Sequence, residues 1–267
     1  MGHFLPVMQG PAARIWQSSG IVPATLFSLE HALPLANSLL SGTGWASDLE
    51  HEARRRAQEL SLPSVAVIDH WVNYEARFER FGNIVLPDTL LVSDSDAFAI
   101  AARAFPNVKL RQVSNLYLRR EVAAITAAAS PIPGRILYVL ELLRYSWPGA
   151  STSAEFDALE YFVANLARLG SRSNWSIRLR PHPSEPTGKY DRWLAKLTDL
   201  VPHLDIALDS SPSLAAAISF SEWVAGCETT ALVIALKAGR KAISTLPPEA
   251  PLCRLPQAGL LHLRDIR

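Results

Sequence analysis

Short β-rich runs alternate with longer amphipathic ones along the whole chain, and that alternation restricts it to parallel α/β architecture. A first series predicts strands at residues 24–29, 38–40, 64–68, 89–92 and 108–113, with helices at about 45–60, 96–105 and 119–128. The helix over 45–60 turns Glu50, Glu52, Arg54, Arg55 and Arg56 outward. Two prolines and a glycine in Ser130-Pro131-Ile132-Pro133-Gly134 then break the helical pattern, and a fresh strand begins at Arg135. That break divides the chain into two Rossmann-like lobes, residues 1–130 and 131–267. The second series predicts strands at 135–140, 176–180, 204–208, 222–225 and 241–244, the last of them, with helices at about 153–169, 190–200, 212–219 and 229–238. Gly10-Pro11 reads as an early turn leading into a helix.

With 267 residues, 49% of them hydrophobic, the chain buries a sizeable core, and a net charge of +1 with both signs mixed throughout argues against a nucleic-acid partner. Two cysteines without metal-ligand spacing argue against structural zinc and fit a reducing compartment, with the cytoplasm as the expected location. No apolar run reaches the roughly 18 residues of a spanning helix, and the first residues do not read as a secretory leader.

The residues with most chemical content stand where strands end. In Ser176-Ile177-Arg178-Leu179-Arg180-Pro181-His182-Pro183 a strand delivers two cations and a histidine held between prolines, a combination suited to a phosphate or diphosphate. A histidine hydrogen-bonded in a loop, with surface ion pairs for the arginines, is the plainer alternative. Farther on, Gly226-Cys227-Glu228-Thr229-Thr230 joins strand to helix, and Thr229 and Thr230 lie at a helix N-terminus that favours an anion. Taken alone, this segment is accounted for more simply by Glu228 or Thr229 capping the helix. In a parallel sheet both turns open on the same edge, where α/β sheets bind ligands.

In the first lobe, the strand ending at Asp69-His70 offers a candidate general base, while Asn73, Tyr74 and Arg77 suit a hydroxyl-rich ligand. A capping Asp69 and a His70 packed on Trp71 are the structural alternative. Gly42-Thr43-Gly44 makes a tight turn, too short for a dinucleotide fingerprint and without the lysine of a nucleotide-triphosphate loop. Asp94-Ser95-Asp96 looks like the acidic triplet that holds a metal in some glycosyltransferases, but Asp96 is placed to cap a helix, and no metal site is assigned.

Arg180-Pro181-His182-Pro183 together with Gly226-Cys227-Glu228-Thr229-Thr230-Ala231-Leu232 resembles the His-Pro and Ser/Thr motifs of bacterial GT-B glycosyltransferases of the capsule and surface-polysaccharide type, among them sialyl-, polysialyl- and Kdo-transferases. Asp69-His70-Trp71-Val72-Asn73-Tyr74, preceded by Gly42-Thr43-Gly44, is similar to the first-lobe segment of such proteins. The resemblance implies a GT-B-like fold, two Rossmann-like lobes with parallel sheets facing a central cleft. It also implies transfer of a sugar, acidic or amino in kind, from a nucleotide-sugar donor to a surface-glycan acceptor without metal or other cofactor. Arg178, Arg180, His182, Pro183, Glu228, Thr229 and Thr230 would bind the donor, Glu228 reaching its ribose or base. Gly42, Thr43, Gly44, Asn73, Tyr74 and Arg77 would bind the acceptor, with Asp69 or His70 as the catalytic base. A peripheral association with a membrane assembly complex belongs to the same expectation. A nucleotide-sugar hydrolase or epimerase of the same fold, and a noncatalytic glycan- or nucleotide-binding subunit of a polysaccharide assembly complex, are the alternatives.

Overall fold

A computed structural model describes residues 3–21, 23, 25–44, 47–126, 130–141, 143, 147–150, 153–172, 174–183 and 185–267. The chain is α/β and divides into two compact units, Met1–Asn115 and Leu116–Arg267. In the first unit the order is α1 (Gly10–Ser18), α2 (Leu29–Ala32), β1 (Leu39–Ser41), α3 (Leu49–Glu59), β2 (Ser64–Ile68), β3 (Glu79–Arg80), β4 (Asn83–Ile84), β5 (Thr89–Val92), α4 (Ser95–Ala104) and β6 (Lys109–Gln112). The parallel sheet runs β1-β2-β5-β6, and β3 with β4 forms a separate antiparallel hairpin. β2 and β5 alternate in burial, so Ala66, Ile68, Leu90 and Val92 reach full burial while their neighbours remain half-exposed.

The second unit contains α5 (Leu116–Thr126), β7 (Ile132–Val139), α6 (Ala154–Ala164), β8 (Ser176–Arg180), α7 (Asp191–Leu200), β9 (Asp205–Leu208), α8 (Leu214–Ser219), β10 (Ser221–Gly226), α9 (Thr230–Lys237), β11 (Lys241–Ser244) and β12 (Leu261–His262). Its parallel sheet is ordered β12-β11-β10-β7-β8-β9. Ile136, Tyr138 and Leu140 point to one face, into a cluster with Leu159 and Phe162 of α6 and Ile177 and Leu179 of β8. The α5 helix packs against α8 and α9 and thereby belongs to this unit, so the division falls at Asn115, ahead of the Pro-Gly break. At the far end, Arg264 ties the 246–251 turn together through the carbonyls of Leu246 (3.1 Å), Ala250 (3.1 Å), Pro251 (3.2 Å) and Pro247.

Some expectations need correction. Residues 25–28 form no strand, and Leu29 opens α2, because the Ser28 hydroxyl accepts the His31 N–H (3.3 Å) and starts a helical turn; Ala24 lies outside the described residues. The α3 helix begins at Leu49 instead of Trp45, which is likewise outside the described residues, as is Ala128 at the predicted end of α5. Arg54 is not on the outward face of α3: it is fully buried. The strand at Lys241–Ser244 is not the last, since Leu261 and His262 pair with Ile243 and Ser244. Among the described residues no helix is long and apolar enough to cross a membrane.

Candidate functional site

The strand order of the second unit reverses at its centre. From β7 the chain builds outward through β8 and β9, then returns to the other side of β7 and builds outward again through β10, β11 and β12. This is the 3-2-1-4-5-6 order whose switch point, between the first and fourth strands, is the ligand crevice of doubly wound sheets. Here the switch point lies between β7 and β10. Pairing of Ala225 with Tyr138 brings the turn after β10 level with Glu141, just beyond β7.

Glu141 fills that turn. Its Oε1 accepts the backbone N–H groups of Cys227 (2.7 Å) and Glu228 (2.9 Å), its Oε2 lies 3.2 Å from the Glu228 N, and the Thr229 N–H adds to this hold. Successive backbone N–H groups aimed at one point make an anion-binding concavity. Gly226 permits the close fit, because a Cβ there would stand 3.0 Å from the Val139 carbonyl oxygen and 3.0 Å from the Thr229 methyl. Below the turn, Thr245 donates its N–H to the Gly226 carbonyl (2.8 Å), and the Ser244 hydroxyl donates to that of Cys227 (2.9 Å). The Glu141 carboxyl is pushed up to about 7, chiefly by burial and further by the neighbouring Glu228 charge, against the pull of the three N–H groups. Burial also raises the Cys227 thiol and the Tyr138 phenol.

The predicted donor residues are distributed around this turn. Thr229 is the N-cap of α9, its hydroxyl accepting the Ala231 N–H (3.3 Å), and Thr230 is the first helical residue; both are half-buried. The Glu228 carboxylate is buried and turned onto Arg254, which donates from its backbone N (2.6 Å) and its Nη2 (2.6 Å). On the other flank, the pairing of Val139 with Arg180 brings His182 level with Glu141. His182 and Pro183 are exposed, and the His182 carbonyl accepts the Glu185 N–H (2.9 Å) to close the turn. Glu185 in turn accepts from Lys189 Nζ (2.6 Å) and the Tyr190 hydroxyl (2.7 Å), while Lys189 also reaches Glu155 of α6 (2.6 Å). A clasp therefore anchors the His-Pro turn to α6.

Both arginines of the turn are engaged within the protein. Arg178 lies in mid-strand and forms a two-pronged pair with Asp205 of β9 at 3.0 and 2.9 Å, which holds the Asp205 carboxyl below its usual range. Arg180 donates to Asp209, whose side chain is fully buried, and to the Ser211 carbonyl (3.2 Å).

In the first unit, the C-terminal edge of the sheet carries the turns after β1, β2 and β5. Asp69 is exposed, and His70 is half-buried, its Nδ1 accepting the Trp71 N–H at 2.9 Å. Asn73, half-buried, adopts a left-handed φ of 61°, a conformation asparagine tolerates better than most residues. Three of the predicted acceptor residues are buried and spend their polar groups on the backbone. Thr43 donates to Val67 O (2.9 Å), Tyr74 to His70 O (3.1 Å), and Arg77 to Val72 O (3.1 Å) and Thr43 O (3.2 Å).

Arg54 completes this frame by donating to Val85 O (3.2 Å), the Ser41 hydroxyl (3.2 Å) and Gly42 O (3.0 Å), its guanidinium 4.9 Å from the Phe78 ring centre. Burial lowers its pKa to about 10, which leaves it charged at neutral pH. Gly42 and Gly44 admit the Glu50 carboxylate, whose oxygens lie 2.5 and 2.7 Å from where their Cβ atoms would be. Burial raises the Glu50 carboxyl, and the Asp69 charge contributes to the rise. Asp94 caps α4 through the Ala97 N–H (2.9 Å) and accepts the Trp71 indole N–H at 3.0 Å.

No protein-family profile matches the chain, and no curated protein matches it in sequence. Solved structures overlap it at low identity. HepE of Anabaena, in complex with UDP and glucose, covers 83% of this chain at 8% identity with a TM-score of 0.47. The UDP-GlcNAc 2-epimerase of Methanocaldococcus jannaschii covers 81% at 12% identity with a TM-score of 0.49. KpsC of Thermosulfurimonas dismutans, a beta Kdo 2,7 transferase, covers 86% at 13% identity with a TM-score of 0.34. The chain spans 62% of the length of HepE and 63% of that of the epimerase, and 88% of that of KpsC.

Three residues absent from the predicted site organise its parts, each within its own unit: Glu141 in the second, Glu50 and Arg54 in the first. For Glu141 the available signal was a carboxylate placed directly after a strand at the ligand-binding edge. For Arg54 it was the spacing of Ala53 and Ala57, which marks the buried face of α3. Chemically, the second unit gathers backbone N–H groups around a carboxylate, a geometry that suits an anion, with an exposed histidine on the paired strand's turn. The first presents an exposed carboxylate and a half-buried imidazole that are suited to proton transfer.

Proposed function

We propose that the chain is a glycosyltransferase that takes a nucleotide-activated sugar at the C-terminal edge of the second unit's sheet and transfers the sugar to a surface glycan. The observation that carries this reading is the ring of N–H groups from Cys227 to Thr229, set at the switch point of a sheet in 3-2-1-4-5-6 order. The donor's phosphates bind there, flanked by Thr229 and Thr230 on one side and the His182-Pro183 turn on the other. When the bond to the sugar breaks, negative charge grows on the leaving phosphate. Pre-aimed N–H groups and the positive end of α9 then stabilise it without having to reorganise. Asp69 or His70 takes the proton of the acceptor hydroxyl, and the transfer reading assigns no step to a cofactor.

A panel of CMP, UDP, GDP and dTDP in thermal unfolding tests the donor site. A nucleotide at about 100 times its Kd adds roughly 2.7 kcal/mol to stability, a rise of several degrees in Tm. One nucleotide should stand out, and His182→Ala should weaken its binding. Asp69→Asn or His70→Ala should abolish transfer with nucleotide binding near wild type; full transfer by both variants would remove the proposed base. The pairing of Arg178 with Asp205 and of Arg180 with Asp209 favours a second reading, a noncatalytic nucleotide- or glycan-binding subunit. Saturable nucleotide binding with no turnover of any matching nucleotide sugar would decide for it.

A further inference from the structure

The groups that make the switch-point turn receptive to an anion are already in use. A single carboxylate oxygen of Glu141 takes both the Cys227 and the Glu228 N–H, at 2.7 and 2.9 Å, and its second oxygen lies 3.2 Å from the Glu228 N. A phosphate oxygen and the Glu141 carboxylate cannot occupy these donors together, since each N–H makes one good hydrogen bond and two anions there repel. Nor is the carboxylate fixed by a countercharge: among the described residues no lysine or arginine pairs with it, and Arg254 pairs with the neighbouring Glu228. Among the described residues, the titratable groups that act on Glu141 are the carboxylate of Glu228, the thiols of Cys227 and Cys253 and the phenol of Tyr138, none of them cationic. Burial opposes the charged form of Glu141, the like charge of Glu228 adds to this, and its carboxyl is pushed up to about 7 despite the N–H groups that hold it.

We propose that Glu141 is a self-inhibiting latch, whose carboxylate competes with the phosphate of the donor for the N–H groups of the β10–α9 turn and must swing out before that phosphate binds. This rests on the reading of the same turn as a donor-phosphate seat. The latch sets the affinity threshold: apparent affinity falls in proportion to the fraction of molecules in which the turn is open.

Titration calorimetry of the full chain with inorganic pyrophosphate and with UDP, GDP, CDP and dTDP tests it. Glu141→Ala should bind pyrophosphate about tenfold or more tightly than wild type if the turn is closed in nine molecules of ten. Glu141→Asp keeps the charge on a side chain one methylene shorter, which weakens the grip on the turn, and should also gain affinity, while Glu141→Gln, whose amide oxygen still accepts the N–H groups, should gain less than Glu141→Ala. Cooperative thermal unfolding of each variant establishes that it is folded; the Asp and Gln variants carry the test if the Ala variant is not. Tighter pyrophosphate binding with no response to any nucleotide would uphold the latch and overturn the nucleotide-sugar reading. A nucleotide that binds wild type and every folded variant alike, or binds the variants more weakly, would uphold that reading and overturn the latch. Absence of any binding to any variant would also overturn it, because removing the carboxylate would then have opened no seat.

Discussion

Backbone N–H groups on the Glu141 carboxylate favour its charged form, and burial beside Glu228 opposes it. Burial wins, raising the carboxyl from 4.5 to about 7. A carboxyl whose folded-state pKa lies above its unfolded value contributes stability that is complete below the unfolded pKa and is lost as pH rises through the folded one. Between pH 4.5 and 7 this group should therefore cost the protein on the order of 3 kcal/mol. Glu141→Gln should remove that slope, so the difference between variant and wild type in urea unfolding should grow in the variant's favour from pH 4.5 to 7.5. Parallel stability curves would refute the assignment. Carboxylates held below their usual range, such as Glu52 at about 2 and Asp205, act only at lower pH and cancel in the comparison. The His182 turn was legible in the sequence because proline fixes φ locally. The partners of Glu141 were not, since they lie 86 and 87 residues farther along the chain and meet it only once β7 and β10 pair.

Among the described residues the segment between β8 and α7 is held by isolated turn hydrogen bonds and by the Glu155-Lys189-Glu185-Tyr190 clasp. Glu185 is nearly fully buried, its side chain 2% exposed, and removing it takes the acceptor from the Tyr190 hydroxyl and leaves the Lys189 ammonium with Glu155 alone. Glu185→Ala should cost about 2–3 kcal/mol and speed hydrogen exchange of the amides over 182–190. Glu185→Gln retains an acceptor for Tyr190 and should cost less. Unchanged exchange in Glu185→Ala would show that the turn is held by other means. Elements with strong local signals were read at their observed bounds: β2, β5, β8 and β11 follow continuous β-rich runs, and α9 begins where Thr229 caps it. The β3–β4 hairpin was not, because its two-residue turn places Phe81 at φ 51° ahead of Gly82 at 77°. Both values match the positive φ pair of a tight hairpin turn, but phenylalanine is not the residue that announces one. A two-residue strand such as β12 gives no periodicity to detect.

At the scale of the molecule, the alternation of strands and helices announced two parallel sheets, but not where the chain divides between them. The Pro-Gly segment that reads as a linker is instead the start of β7: Ile132 pairs with Ser221, and Gly134, at φ 82°, donates its N–H to Glu222 (2.7 Å). The α5 helix before it shields α8 and α9. A fragment beginning at Leu116 should consequently unfold in one cooperative transition, whereas one beginning at Pro131 lacks α5 and should be less stable, melt more broadly and bind more of a hydrophobic dye. Equal stability of the two fragments in urea would contradict the placement of α5. The grip of Arg264 on the 246–251 turn has a consequence of another kind. An open parallel edge offers unpaired N–H and C=O groups to any extended segment that meets it. Here the outermost strand is only two residues long, and the turn secured by Arg264 lies just ahead of it in the chain. A two-residue strand at this edge leaves few unpaired backbone groups there for another extended segment to join.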